Sequence, residues 1–316
     1  MITTWLTSRF GLDVPVVGAP MAGPGEGALA AAVSAAGGLG MVGVNASRGA
    51  DWVREQAQVA AASGRAYGVG LMAWALERDP APLEAVLEVR PALVSVSFGA
   101  FEEPVRRLRE AGLTVAVQAG ALAEAVRAER AGADLVVARG GEGGGHGRDE
   151  VATLPLLQSV LEHVEVPVVA AGGIATARGL AAVLAAGAVG AWVGTAFLAC
   201  REAGTSERGR RRLLAATETS TSYARVFDVA QRLAWPAEFG GRGLRNDFVE
   251  RWADRLDELG RDDDAARQLA EARAAEDYDT AYLYAGQGVG LLREERTAAD
   301  VLRDFGRAEA LLRRFA

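Results

Sequence analysis

The chain has 316 residues, a formal charge of −7 and no lysine; all 34 of its basic residues are arginine. The negative charge argues against a general nucleic-acid binder, which needs a basic face. The missing lysine excludes a Walker P-loop and Schiff-base chemistry, and the single cysteine, Cys200, excludes an intrachain disulfide or a cysteine metal cluster.

A chain of this length can hide roughly three quarters of its unfolded surface. With aromatics at only 6% and alanine abundant, its interior is expected to be built from Val, Leu and Ala. The N-terminus shows no basic segment followed by a long apolar run, and no apolar stretch is long enough to span a membrane. The expectation is a soluble, cytoplasmic protein.

Up to about residue 200 one theme repeats: a short apolar run, a turn, then an alanine-rich amphipathic stretch. The runs, in chain order, are VPVVGAP (14–20), LGMVGVN (39–45), AYGVGLMAW (66–74) and LVSVSFG (93–99), then LTVAVQAG (113–120), DLVVARGG (134–141), VPVVAAGGI (166–174) and VGAWVGTAF (189–197). Each is continuous in hydrophobicity, the pattern of strands covered on both faces. Eight such βα units predict an α/β fold of the (β/α)₈ TIM-barrel type. A doubly wound sheet is the rival, but it usually has fewer strands.

After residue 200 the theme stops, and the remaining segments read as helices with a turn-rich connector, AWPAEFGGRGLRND, among them. The expected organisation is a barrel from residues 1–215 plus about 293–316, with a smaller helical subdomain over about 216–292 on the substrate side. The last helix is expected to return to the barrel wall.

In a barrel of this kind the active site lies in the loops at the C-terminal ends of the strands. The first such loop, GAPMAGPGEGA, formally fits a dinucleotide fingerprint at Gly23, Gly25 and Ala28. That fingerprint also wants an acid closing the second strand, which here ends in VNAS, so the Rossmann reading fails. The apolar Ala19, Pro20 and Met21 suit the face of a flat ring instead.

The loop after the sixth run, from about 141 to 153, carries His146 between Gly143, Gly144, Gly145 and Gly147. Glycine lets a backbone bend sharply and lets a ligand approach, and imidazole exchanges a proton near neutral pH. His146 is therefore the candidate catalytic residue, with Glu142 and Asp149 as nearby acids that could orient it. The other histidine, His163, falls at the opposite end of the barrel. The seventh and eighth runs end in glycine turns that expose amides beside helix N-termini, where an anion is favoured. Gly172, Gly173, Gly194 and Thr195 are the candidate phosphate cradle. Cys200 sits in an apolar helical stretch and is expected to be buried. No metal site is expected.

These parts together resemble the nitronate monooxygenase family, formerly 2-nitropropane dioxygenases. The resemblance lies in APMAG after the first run, the EGGGHG loop, the AGGI and GAWVGTAF segments, Gln118 in VAVQAG, and YAGQGVG near the C-terminus. It implies an FMN-dependent barrel that oxidises alkyl nitronates, or similar activated carbon acids, with molecular oxygen. Carried over, Ala19, Pro20, Met21 and Gln118 would line the flavin, and Gly172, Gly173, Gly194 and Thr195 would hold its phosphate. His146 would be a base toward neutral nitroalkanes. Two positions depart from the family pattern: Arg139 stands where Gln is common, and Gly70 where Asn is often found. The alternative is the sister family of FMN-dependent, NAD(P)H-consuming enoyl-acyl-carrier-protein reductases, which shares these landmarks. The implied partners are a small-molecule substrate and O₂, with no nucleic acid and no membrane; homo-oligomerisation is left open.

Overall fold

The computed structural model describes residues 2–315. The eight apolar runs form β1 (Val16–Gly18), β2 (Gly40–Gly43), β3 (Tyr67–Met72), β4 (Leu93–Ser97), β5 (Val115–Ala119), β6 (Leu135–Arg139), β8 (Val168–Ala171) and β9 (Gly190–Val193). An unexpected short strand, β7 (Gly145–Gly147), lies in the loop after β6. The eight barrel strands are parallel in the order β1-β9-β8-β6-β5-β4-β3-β2, and a parallel bridge between Val17 and Leu39 joins the two ends. The (β/α)₈ barrel is therefore present, closed where β1 meets β2.

Strand side chains alternate between two faces. One set faces inward: Val17, Met41, Leu93, Val137, Val169 and Trp192 belong to a single buried cluster. Leu6, from the helix Trp5–Phe10, joins that cluster beside the start of β9 and plugs the N-terminal end. The other set, including Val16, Val42, Val69, Val94 and Val136, packs outward against the helices. Both sets are out of water, which is why the strands read as continuous apolar runs.

The inward positions continue upward by the same alternation. Val17 leads to Ala19, Ala116 to Gln118, Val137 to Arg139, Ala171 to Gly173 and Trp192 to Gly194. The apolar interior thus gives way, at the C-terminal mouth, to small and polar residues. The helix Ala298–Gly306 begins at Thr297, whose hydroxyl and the Asp300 carboxylate form a capping box. It lays Val301, Leu302 and Phe305 into the outer core cluster.

Residues 216–292 are not wholly helical, in contrast to the reading of the sequence. β10 (Thr221–Ala224) and β11 (Gly240–Leu244) pair antiparallel, and β11 pairs antiparallel with β7. The helices Val226–Ala230, Asp247–Trp252 and Asp263–Ala274 share a separate small core around Phe227, Phe248, Trp252 and Leu269. The strands were illegible because β11, GGRGL, is mostly glycine. It lacks the β-branched and aromatic side chains that mark a strand, and its pairing partner lies far away in sequence.

Candidate active site

His146 is positioned from below by a buried cation. Arg139 is 3% exposed. Its Nη2 donates to the carbonyls of Gly143 (2.6 Å), Gly145 (3.0 Å) and Gly144 (3.3 Å), and its Nη1 to that of Arg148 (2.8 Å). Burial, and then the charge of Arg242, hold its guanidinium down at about 10, so it is still a cation at neutral pH. Arg242, on β11, donates from Nε to the carbonyl of Gly141 and pairs with Asp149.

The glycines follow from this packing. A Cβ on Gly143 would stand 2.7 Å from Nε of Arg139, and one on Gly144 would stand 2.4 Å from the main-chain nitrogen of Gly286. At Gly143, Gly144 and Gly147 the chain itself fills the side-chain space, whereas Gly145 faces open space and is required by its φ of +70°.

β7 then sets the imidazole. His146 lies opposite Gly241 on β11, which turns its ring toward the helical unit. Nε2 is 2.9 Å from Oδ1 of Asp228, in the helix Val226–Ala230. Trp235 stacks on the ring at 3.7 Å with 1° between planes, and Tyr284 meets it edge-on at 5.2 Å. Trp235 in turn contacts Trp74, just after β3, and Phe98, just after β4. An aromatic wall therefore runs from the ends of β3 and β4 to the histidine. Burial, then the Asp228 charge, pushes the Tyr284 phenol well above its ordinary range, so it stays neutral.

Neither acid named from the sequence orients His146. Glu142 accepts from the main-chain N–H and hydroxyl of Thr153, capping the helix Thr153–Leu161, and Asp149 is taken by Arg242. Asp228, Trp235 and Tyr284 were missed. The one usable signal was a single aspartate inside the apolar stretch VFDVA.

The other candidate residues gather at the same mouth. Ala19 and Met21 lie beside Gly194: a Cβ there would be 3.6 Å from Cβ of Ala19 and 3.4 Å from Sδ of Met21. Pro20 packs on Gly70, where a Cβ would stand only 2.4 Å from the proline ring. That accounts for glycine at a position where a side chain was expected. Gln118 is half-buried on β5, and its carboxamide has no hydrogen-bond partner among the described residues.

Gly172 is explained by packing, since a Cβ there would meet Oγ1 of Thr153 at 2.6 Å. Gly173, at φ +69°, is different: a Cβ there would make only an ordinary contact, with Cβ of Glu142 at 3.5 Å, and the positive φ is what favours glycine. The Thr195 hydroxyl accepts from the N–H of Gly286 at 3.0 Å. The main-chain N–H groups of Gly172, Gly173, Gly194 and Thr195 find no acceptor among the described residues. Such unpaired donors at strand ends suit an anionic ligand.

One segment, Tyr284 to Gly288, joins the two halves. Tyr284 touches His146, and the N–H of Gln287 donates to the carbonyl of Glu142. Gly288 lies against Gly173 and Ala175. Cys200 is fully buried, and burial pushes its thiol up to about 12, so it offers no nucleophile. Among the described residues no group of three or more His, Cys, Asp or Glu could hold a metal, and no helix is long and apolar enough to cross a membrane.

The C-terminal mouth, with its histidine–carboxylate contact and row of unpaired amides, is the face at which enzymes of the (β/α)₈-barrel class carry their chemistry. Comparison with known proteins narrows the class. The chain belongs to the nitronate monooxygenase family, whose model matches residues 51–306, and it is an oxidoreductase. It is 32% identical to a nitronate monooxygenase of Paraburkholderia phytofirmans, over 98% of this chain and 97% of that one. A nitroalkane oxidase structure from Streptomyces ansochromogenes superposes with a TM-score of 0.83 at 32% identity, covering 98% and 99% of the two chains. FabK from Thermotoga maritima superposes with a TM-score of 0.85 at 28% identity, covering 100% of both.

Proposed function

We propose that this protein oxidises alkyl nitronates with molecular oxygen using FMN, and that His146 takes the α-proton when the substrate is a neutral nitroalkane. The observation that carries the reading is the His146 imidazole, fixed between Asp228 and Trp235 at the barrel mouth. Nitroalkane α-protons are acidic enough for an imidazole base, and a base works best with a proton affinity near the working pH.

The free amides of Gly172, Gly173, Gly194 and Thr195 would hold the FMN phosphate. Ala19, Pro20, Met21 and Gln118 would lie along the ring system, with the Gln118 carboxamide free to hydrogen-bond its polar edge. Bound FMN supplies the electron transfer and the reaction with oxygen. The protein's own residues remove the proton, hold the resulting anion and keep water from the aromatic side of the site. The domain reading stands beside this: residues 216–292 form the substrate-side unit, because they supply Asp228, Trp235 and Tyr284.

The test is His146→Asn, which keeps size and hydrogen bonding but cannot act as the base. Turnover of a neutral nitroalkane should fall by about 10²–10⁴-fold, and turnover of the pre-formed nitronate much less, with flavin content equal in both proteins. Equal losses on the two substrates would reduce His146 to a binding role. The landmark motifs APMAG, EGGGHG and AGGI support a second reading, an FMN-dependent, NAD(P)H-consuming enoyl reductase. Anaerobic mixing with NADPH separates the two: rapid bleaching of the flavin band favours the reductase.

A further inference from the structure

We propose that Asp228 is the positioning residue for His146, and that it makes Nδ1, rather than Nε2, the atom that takes the substrate proton. The inference rests on the base reading above and adds to it which atom acts and what holds it.

The contact is local and enclosed. Nε2 of His146 and Oδ1 of Asp228 are 2.9 Å apart, with the side chains 12% and 3% exposed. A carboxylate can only accept. The proton of a neutral imidazole must then sit on Nε2, because the other tautomer would set two lone pairs against each other. Nδ1 is left with its lone pair open, and it has no partner among the described residues. The second oxygen, Oδ2 of Asp228, is buried without a hydrogen bond. The carboxylate's satisfaction therefore depends on His146, and the pair is coupled in both directions. Trp235 stacked on the face and Tyr284 against the edge stop the ring from turning.

The proton step balances within these groups. The α-C–H bond of the nitroalkane breaks, its electron pair passes into the nitro group, and the proton goes to Nδ1. The imidazolium so formed lies against the Asp228 carboxylate, which stabilises it. The other groups facing the pair do not compete. Tyr284 and Tyr282 are both held neutral by burial, and Arg273 lies over the Tyr282 ring at 4.9 Å. Trp235 carries no charge.

The chain's two histidines make the tautomer directly readable. In the flavin-loaded protein labelled with ¹⁵N-histidine, His146 should carry its neutral-state proton on Nε2. His163 should show the opposite tautomer, because its Nδ1 is 2.8 Å from the Ser159 carbonyl. It serves as the internal reference. Asp228→Asn removes the charge that stabilises the imidazolium. The acid limb of kcat/KM for a nitroalkane should then move to lower pH, with a loss of activity at neutral pH bounded by the roughly 10²–10⁴-fold that a general base contributes. Asp228→Glu, which restores a carboxylate, should bring the limb back. A wild-type His146 protonated on Nδ1, or an acid limb unmoved in both variants, would overturn the assignment. Because the tautomer is read without turnover, it separates the two claims: a His146→Asn variant that loses nothing sinks the base reading, whatever the spectrum shows.

Discussion

Two glycine-rich regions flank the mouth of this barrel, and they are glycine-rich for opposite reasons. Around His146 three of the missing side chains are replaced by the protein itself: Arg139 lies under Gly143 and Gly147, and the backbone at Ala285–Gly286 lies against Gly144, while Gly145 is set by its φ of +70°. After β8 and β9, a Cβ on Gly173 or Gly194 would make only ordinary contacts, 3.5 Å from Cβ of Glu142 and 3.4 Å from Sδ of Met21, and the N–H groups of both glycines are unpaired among the described residues. The first region is a packed platform for one imidazole. The second is a set of donors without an acceptor. The same letter in the sequence thus marks close packing in one place and a candidate anion site in the other.

The largest effect should come from removing the platform. Arg139→Met leaves the carbonyls of Gly143, Gly144, Gly145 and Arg148 without their buried donor. At roughly 1–3 kcal/mol for each unsatisfied group, even partial relaxation should destabilise the protein by on the order of 3 kcal/mol. Urea denaturation measures it, and nitroalkane turnover should fall along with stability. A variant as stable as wild type would mean that the loop holds itself and that the contrast between the two regions is false.

A middle effect belongs to the open region. Gly173→Val must hold a β-branched residue at φ +69°, which costs roughly 1–2 kcal/mol. The turn should relax and misalign its amides. FMN affinity, read by equilibrium dialysis, should weaken about tenfold while the melting temperature falls by no more than a few degrees. Unchanged affinity would place the phosphate elsewhere.

Gly194 has φ −105°, which any residue adopts, and its nearest neighbour in the side-chain direction is Sδ of Met21 at 3.4 Å, an ordinary contact. Gly194→Ala should therefore fold normally and shift FMN affinity by no more than about twofold, within the roughly ±0.5 kcal/mol usual for tolerated substitutions. A large loss would show that the ligand occupies that direction.

The barrel was legible in the sequence because its strands are local and buried on both faces, so each announces itself by continuous hydrophobicity over a few residues. The position of His146 after the sixth strand, and of the glycine turns after the seventh and eighth, followed from counting those strands. What the histidine touches did not follow. Asp228 lies 82 residues away, Trp235 sits in what reads as a connector, and β11 is too glycine-rich to signal a strand. These residues meet only because β7 and β11 pair across the mouth, and long-range pairing has no local period to betray it. The scaffold, and the loops that end its strands, can thus be read along the chain. That Arg139 is a support, and that Asp228 rather than Glu142 or Asp149 accompanies the histidine, emerges from the folded contacts. The physical reason is that a buried charge selects its partner by distance and exclusion of water, and neither is written along the chain.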